Sequence, residues 1–276
     1  MHPMTTAIRT KPRQQATGDV FGIQNNPKAN KGDVLGVWTA MQYMTPSDGS
    51  GRNACKYASA GCRKVCLNTS GKGGMKVIQD ARLRKINRFF DDNDAHMTQA
   101  AKEIARLDIE ATAAGYKAAV RPNATTDFPF ERIPVTYEGV RYPSLMAAFP
   151  NVQFYDYTKY PISERNPASN YHLTFSLSER EDADYSSEEH ARDALAAGVN
   201  VAVVFDLKRR GGKLPATYTI GGRRGSLVER LLFKPAITVP VIDGDISDVR
   251  FMDPKGVIVG LKAKGDARGS RSRFVR

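Results

Sequence analysis

Apolar positions along this chain follow two periods. Val34 to Met44 is rich in β-branched and aromatic residues and is bounded by Gly32-Asp33 and Pro46, which predicts a strand. From Met75 to Phe90 the period changes. Ile78, Ala81, Ile86, Phe89 and Phe90 recur near helical spacing with Arg and Lys between them, which predicts a helix. A second helix is predicted over 94–114, with Met97, Ala101, Ile104, Leu107 and Ala111 as its apolar stripe and Gly115 as its stop.

Beyond Gly115 strands and helices alternate. Strands are predicted over 116–121, 152–158, 171–177, 200–206, 238–242 and 256–261. Short helices fall at Ser144–Phe149 and from Ser186, where Ser186-Ser-Glu-Glu189 reads as a capping box, to a stop at Gly198. Asn200 to Asp206 is almost wholly apolar, as a parallel strand buried on both faces requires. Alternation of this kind predicts an α/β fold. The expected form is an incomplete (β/α) barrel or an open, mostly parallel sheet built from right-handed crossovers. Residues 1–33 are polar and read as an N-terminal extension, 34–261 as a single α/β domain and 262–276 as a basic C-terminal tail. Residues 207–235 are basic and Gly-rich and read as a long excursion.

Between the first predicted strand and the first helix lies the least random stretch of the chain. It holds Cys55, Cys62 and Cys66, the only three cysteines, followed by Gly71, Gly73 and Gly74. An odd number of thiols in one tight group argues against a disulfide framework. Thiolates are soft ligands that suit iron–sulfur clusters or zinc. A closed structural zinc site wants four protein ligands, and His2, His96, His172 and His190 all lie far from the loop in sequence. Three thiolates suit a four-iron cubane that leaves one iron open to an outside ligand, with zinc as the alternative and packing or a nucleophilic thiol as the plain one. The glycines allow the backbone close to such a group.

Binding sites in α/β sheets gather where strands end. That rule places the cysteine loop, 123–127, 156–159 and Asp206 on one rim. Arg121, Asn123 and Asp127 are candidates for holding a ligand's carboxylate, phosphate or hydroxyl groups, or they form the turn that ends a strand. Asp156 and Lys159 are candidates for an acid/base pair, or for an ordinary ion pair. Asp243, Asp245 and Asp248 read as a turn before a hard-cation loop. Trp38 and His172 read as core residues.

The formal charge of +12 suggests polyanionic company, with nucleic acid the default partner. Lys262, Lys264, Arg268, Arg271, Arg273 and Arg276 face a single Asp266 in the last stretch, and Arg209–Lys213 and Gly221–Gly225 are basic Gly-rich loops. No apolar run is long enough to span a bilayer, and no signal-peptide core is seen, so a cytoplasmic protein is expected.

Two resemblances follow from these residues. A three-cysteine loop after the first strand of a βα array, with apolar Val65 before Cys66, resembles the radical S-adenosylmethionine enzymes. That resemblance implies an open iron holding the amino and carboxylate groups of S-adenosylmethionine and a nucleotide or nucleic acid as substrate, although six and three residues separate the cysteines here, a departure from that family's tighter spacing. Cys55-Lys-Tyr-Ala-Ser-Ala-Gly-Cys62, Cys66-Leu67, Arg121–Asp127, Phe154–Lys159, Tyr171–Ser176 and Val241–Asp245 resemble the phage "gene product eighty-eight" family. This second resemblance covers about residues 20 to 265 and implies a phage or mobile-element origin, with no reaction attached.

Overall fold

The computed structural model describes residues 20–23, 29–221 and 236–276. In chain order it begins with β1 (Gly22–Ile23) and β2 (Val37–Met41), then the cysteine loop with the short helix α1 (Ala60–Lys64). Two long helices follow, α2 (Lys76–Asp91) and α3 (Asn93–Ala113), before β3 (Lys117–Arg121). A small hairpin, β4 (Val135–Tyr137) and β5 (Val140–Tyr142), and α4 (Leu145–Ala148) lead to β6 (Gln153–Thr158) and β7 (Tyr171–Ser176). A second hairpin, β8 (Glu181–Asp182) and β9 (Tyr185–Ser186), precedes α5 (Ser187–Ala196). The chain then runs through β10 (Val201–Phe205), β11 (Thr217–Ile220), β12 (Ile237–Asp243) and β13 (Ile258–Lys262).

Nine of these strands form one open sheet in the order β1-β2-β3-β6-β7-β10-β13-β12-β11. The inner seven are parallel, and the edge strands β1 and β11 are antiparallel. The sheet does not close, so of the two forms expected from the sequence the open, mostly parallel one is found. The predicted strands and helices are present with ends moved by a few residues. The 34–44 strand is shorter, because Val34 and Leu35 belong to a 3-10 turn. β1, β11 and both hairpins were not foreseen. They are short or at edges, where pairing, more than the local pattern, makes the strand.

One face of the sheet packs on the helices. Trp38, Ala40, Ala118, Val120 and Phe154 meet Ile86, Phe89, Met97, Ile104 and Leu107 in a single core, and Trp38 stacks on Tyr116 with centroids 4.7 Å apart. Helices α2 and α3 form a tight antiparallel pair because Asp92 ends one and caps the other, accepting from the Ala95 N–H at 3.1 Å. Gly115, at φ +76, takes the left-handed position that stops α3. On the opposite face Val37, Ala119 and Tyr155 pack beneath Val249 and Phe251. Farther along the sheet Phe175, Val201, Val203 and Phe205 pack on Ala191, Ala194 and Leu195 of α5. Among the described residues no helix is long and apolar enough to cross a membrane.

Residues 262–276, expected as a basic tail, fold back onto the sheet. β7 and β10 share two rungs only, Phe175 with Val201 and Ser176 with Ala202. Beyond them Val275 bridges to Val204, and the Arg276 N–H donates to the Val204 carbonyl at 2.8 Å. Val275, Ala263, Ala267 and Val65 of the cysteine loop make a satellite core. The charge of this stretch hid its few apolar residues. Replacing Val275, which is 5% exposed, by Asp puts an unpaired carboxylate into that cluster. Val275→Asp is expected to lower stability by about 1–3 kcal/mol, read as a shift of the urea midpoint. An unchanged midpoint would mean the chain end does not dock.

Candidate three-thiol site at the carboxyl rim

After β2 the chain continues extended to Pro46 and turns at Ser47, which has φ 52. The loop closes on itself through the Ala54 N–H and the Ser47 carbonyl, 2.9 Å apart. Cys55 then forms an isolated parallel bridge with Asp127, just past the end of β3. Its amide donates to Asn53 Oδ1 at 2.9 Å, and its sulfur lies 3.4 Å from the Ser47 N–H. Ser59 caps α1 by accepting from the Cys62 N–H at 3.0 Å, which sets Cys62 inside that turn. Glu179, from the segment after β7, clamps the same turn. It accepts from Ser59 Oγ at 2.7 Å and from the Gly61 N–H at 2.5 Å. A Cβ on residue 61 would meet the Glu179 carboxylate at 2.5 Å, so glycine is required there.

Cys66 lies just beyond α1 and begins the next 3-10 turn, Leu67–Thr69. Arg82 and Gln79 of α2 hold this part of the loop. Arg82 donates to the carbonyl and, at 2.7 Å, to the side-chain oxygen of Asn68, while Gln79 Nε2 donates to the Asn68 carbonyl at 2.9 Å and the Gly73 carbonyl at 2.5 Å. Gly71, Gly73 and Gly74 form a short 3-10 turn. At Gly73 a Cβ would stand 2.6 Å from the Asn68 carbonyl and 3.2 Å from the Arg82 guanidinium. This glycine therefore serves the packing of Asn68 and Arg82.

The three thiols share one neighbourhood. Burial pushes the Cys55 thiol up to about 12, with Asp127, Cys62 and Cys66 adding to the rise and the Ser47 N–H opposing it. Burial also raises Cys66, as does Cys62, against the Asn68 N–H and the cations Lys159 and Arg82. Among the described residues no three His, Cys, Asp or Glu groups gather as closely as a single ion requires. Tetrahedral zinc at ~2.3 Å from each sulfur would hold the sulfurs roughly 3.8 Å apart. A cubane puts each thiolate on a different iron and spaces them more widely. The donor set thus fits a cluster in its chemistry, while the tighter single-ion cage is not formed.

The other expected site residues divide. Asp127 is at the rim, accepting from Thr158 Oγ1 and the Lys159 N–H, each at 2.8 Å, with Arg165 4.0 Å away. Lys159 is beside Cys66, and its ammonium donates to Ser176 Oγ at 2.7 Å and lies 5.1 Å from the Phe274 ring centroid. Asn123 is spent internally. Its amide and side chain donate to Asp156 at 2.8 and 3.0 Å, and its Oδ1 accepts from Thr126 and Phe128. Asp156 also accepts from Tyr171 at 2.7 Å. It does not pair with Lys159 in the way the short spacing suggested, because the two face different partners.

Arg121 points to the opposite face of the sheet, ion-paired with Asp248 at 3.0 Å and over the Tyr157 ring at 4.7 Å. Burial disfavours its charge, but Asp248 more than offsets this and its pKa is raised. The expected contact from Arg121 to a ligand's carboxylate or phosphate is replaced by this internal pair. Asp243 and Asp245 pair with Lys262 and Lys264, and the Asp245 N–H donates to Asp243 at 2.9 Å, which makes a turn. Asp206 caps the turn after β10. Residues 222–225 of the second basic loop lie outside the described residues. Sequence reasoning missed Arg82, Glu179 and Ser47. Arg82 had a local signal, three residues after Gln79 on one face of α2, whereas Glu179 reaches Gly61 across 118 residues and left none.

These features define an α/β protein whose parallel sheet carries a buried three-thiol loop on its carboxyl rim. The chain belongs to the Gene product 88 family, which matches residues 13–276. No curated protein and no solved structure matches it.

Two outcomes test this electrostatic arrangement. With its pKa near 12, Cys55 in metal-free protein is expected to alkylate with iodoacetamide at pH 8 far more slowly than the same residue in urea; equal rates would refute the burial. Burial also raises Asp156 to about 7, against donation from Tyr171 and Asn123 and the charge of Arg121. The folded state then holds the proton more tightly than the unfolded chain. Its stabilising contribution is complete below about pH 4 and is lost as pH rises through about 7. Asp156→Asn should be less stable at pH 4 and should fall less steeply between pH 4 and 7 in urea titrations; parallel pH profiles would count against the shift.

Proposed function

We propose that Cys55, Cys62 and Cys66 hold an iron–sulfur cluster of the four-iron type with one iron left for an outside ligand. The observation that carries this reading is the convergence of all three thiols of the chain on one point of the carboxyl rim. When bound, such a group supplies an open coordination position and an electron. The chain's own groups suit its anionic charge. Lys159 and Arg82 bear on Cys66, and the Ser47 and Asn68 amides point at sulfurs. All three thiols give up protons on loading, so loading is favoured as pH rises.

The position of the loop, after the first parallel strand and on the ligand-binding rim, extends the proposal to a radical S-adenosylmethionine-like enzyme acting on a nucleotide or nucleic acid. Asp127 and Lys159 are the rim groups that would meet a ligand there. Asp156 holds the strand end from behind. A second reading is a non-enzymatic phage protein that binds nucleic acid or a host protein around a structural or redox-sensing cluster, or zinc. The net charge of +12 favours that reading.

Anaerobic purification followed by iron, sulfide and zinc analysis separates these. The expected result is about four irons and four sulfides per chain, lost in Cys62→Ala while the circular dichroism of the metal-free forms agrees. One zinc without sulfide would overturn the cluster. Loaded protein given reductant and S-adenosylmethionine should then form 5′-deoxyadenosine. A loaded cluster that forms none sinks the enzymatic extension, and a steep loss of oligonucleotide affinity with salt then favours the second reading.

A further inference from the structure

Away from the cysteine loop, the outer surface of α2 carries Ala81, Arg84, Lys85 and Arg88 at positions i, i+3, i+4 and i+7, which puts them on one stripe. Together with Val20 and His96 they line a cavity of about 190 Å³. Three cations on one stripe repel one another, and Arg84 and Arg88 stand at the i, i+4 spacing where like charges destabilise a helix. Lys85 Nζ reaches the Val20 carbonyl at 3.1 Å, and Arg88 donates to the Ala95 carbonyl at 3.1 Å. Glu103, the acid of this region, accepts from the Val20 and Phe21 amides at 2.9 and 2.8 Å and from Gln99.

His96 forms the floor and is 1% exposed. Its Nε2 stands 2.8 Å from the Gln42 side-chain nitrogen, which donates, so the ring proton belongs on Nδ1. Nδ1 is buried and has no partner among the described residues. Burial lowers the His96 pKa to about 3, and Arg88 and Lys85 lower it further, so the ring is neutral and the cations face it. The cavity therefore offers a neutral N–H donor beneath three positive charges.

We propose that this cavity binds a phosphate group, with His96 Nδ1–H donating to one oxygen and Arg84, Lys85 and Arg88 balancing the charge. An arginine fork suits phosphate oxygens, and a dianion removes the repulsion along the stripe. The site stands apart from the thiol loop and does not depend on a cluster there. The phosphate can come from a free nucleotide or from a nucleic-acid backbone.

The test is thermal unfolding of the full-length protein in phosphate and in chloride of equal ionic strength. At phosphate 100 times its Kd the midpoint is expected to rise by about 5–10 °C over chloride. Arg84→Gln with Arg88→Gln should abolish that rise while unfolding remains cooperative. Lys76→Gln, on the same helix but outside the cavity, should keep it. Equal midpoints in the two salts, a rise that survives the double substitution, or an equal loss in Lys76→Gln would each overturn the proposal. A 5′-mononucleotide and a single-stranded oligonucleotide, titrated in parallel, identify the source. Tighter mononucleotide binding assigns a free nucleotide. Tighter oligonucleotide binding, with a salt slope reduced in the double variant, assigns a backbone phosphate.

Discussion

Asp127 is the buried carboxylate on which the rim is built. Its amide donates to the Ala54 carbonyl at 3.0 Å, which pins Cys55 to the end of β3. Its oxygens accept from Thr158 and Lys159, which pins the end of β6 to the same point. Arg165, itself buried and paired with Glu131 at 2.5 Å, stands behind it. Burial raises the Asp127 pKa, and the Lys159 amide, Arg165 and Thr158 oppose the rise. A single side chain thus joins two parallel strands and the cysteine loop, and a buried carboxylate is kept only where such donors surround it.

The thiols meet the opposite balance. Cys55 and Cys66 are taken from water with few donors, so each is held in its neutral form. A group that binds them must replace those protons, and binding then contributes to folding. The surroundings are arranged for that exchange on one side only. Lys159 and Arg82 lie toward Cys66, whereas Asp127 lies toward Cys55. Arg82 also ties the loop to α2, the helix whose opposite stripe lines the basic cavity. The two sites use different faces of one helix and different chemistry.

Much of the sheet was legible in the sequence because its inner strands are buried on both faces and read as apolar runs, as Val201–Phe205 does. The helices were legible because their apolar stripes recur at helical spacing and their ends carry Asp92, Ser186 and Gly115. The edge strands β1 and β11 and the two hairpins were not, since a two- to four-residue strand is specified by its partner. The chain end misled for a related reason. Its basic residues dominate the composition, while Phe274 and Val275, which fix its place, contribute little to any pattern.

The sequence by itself determined the α/β class, the grouping of every thiol in one loop after the first parallel strand, and the placing of that loop on the rim. These are local or topological properties, set by period, chain order and the direction of the strands. Only the tertiary structure decided what each polar side chain does. It took Arg121 to Asp248, Asn123 to Asp156 and Lys159 to Ser176, and it brought Glu179 to Gly61 and His96 beneath the arginines of α2. Such pairings depend on which distant groups share a buried volume, and a buried donor or charge takes whatever partner that volume holds.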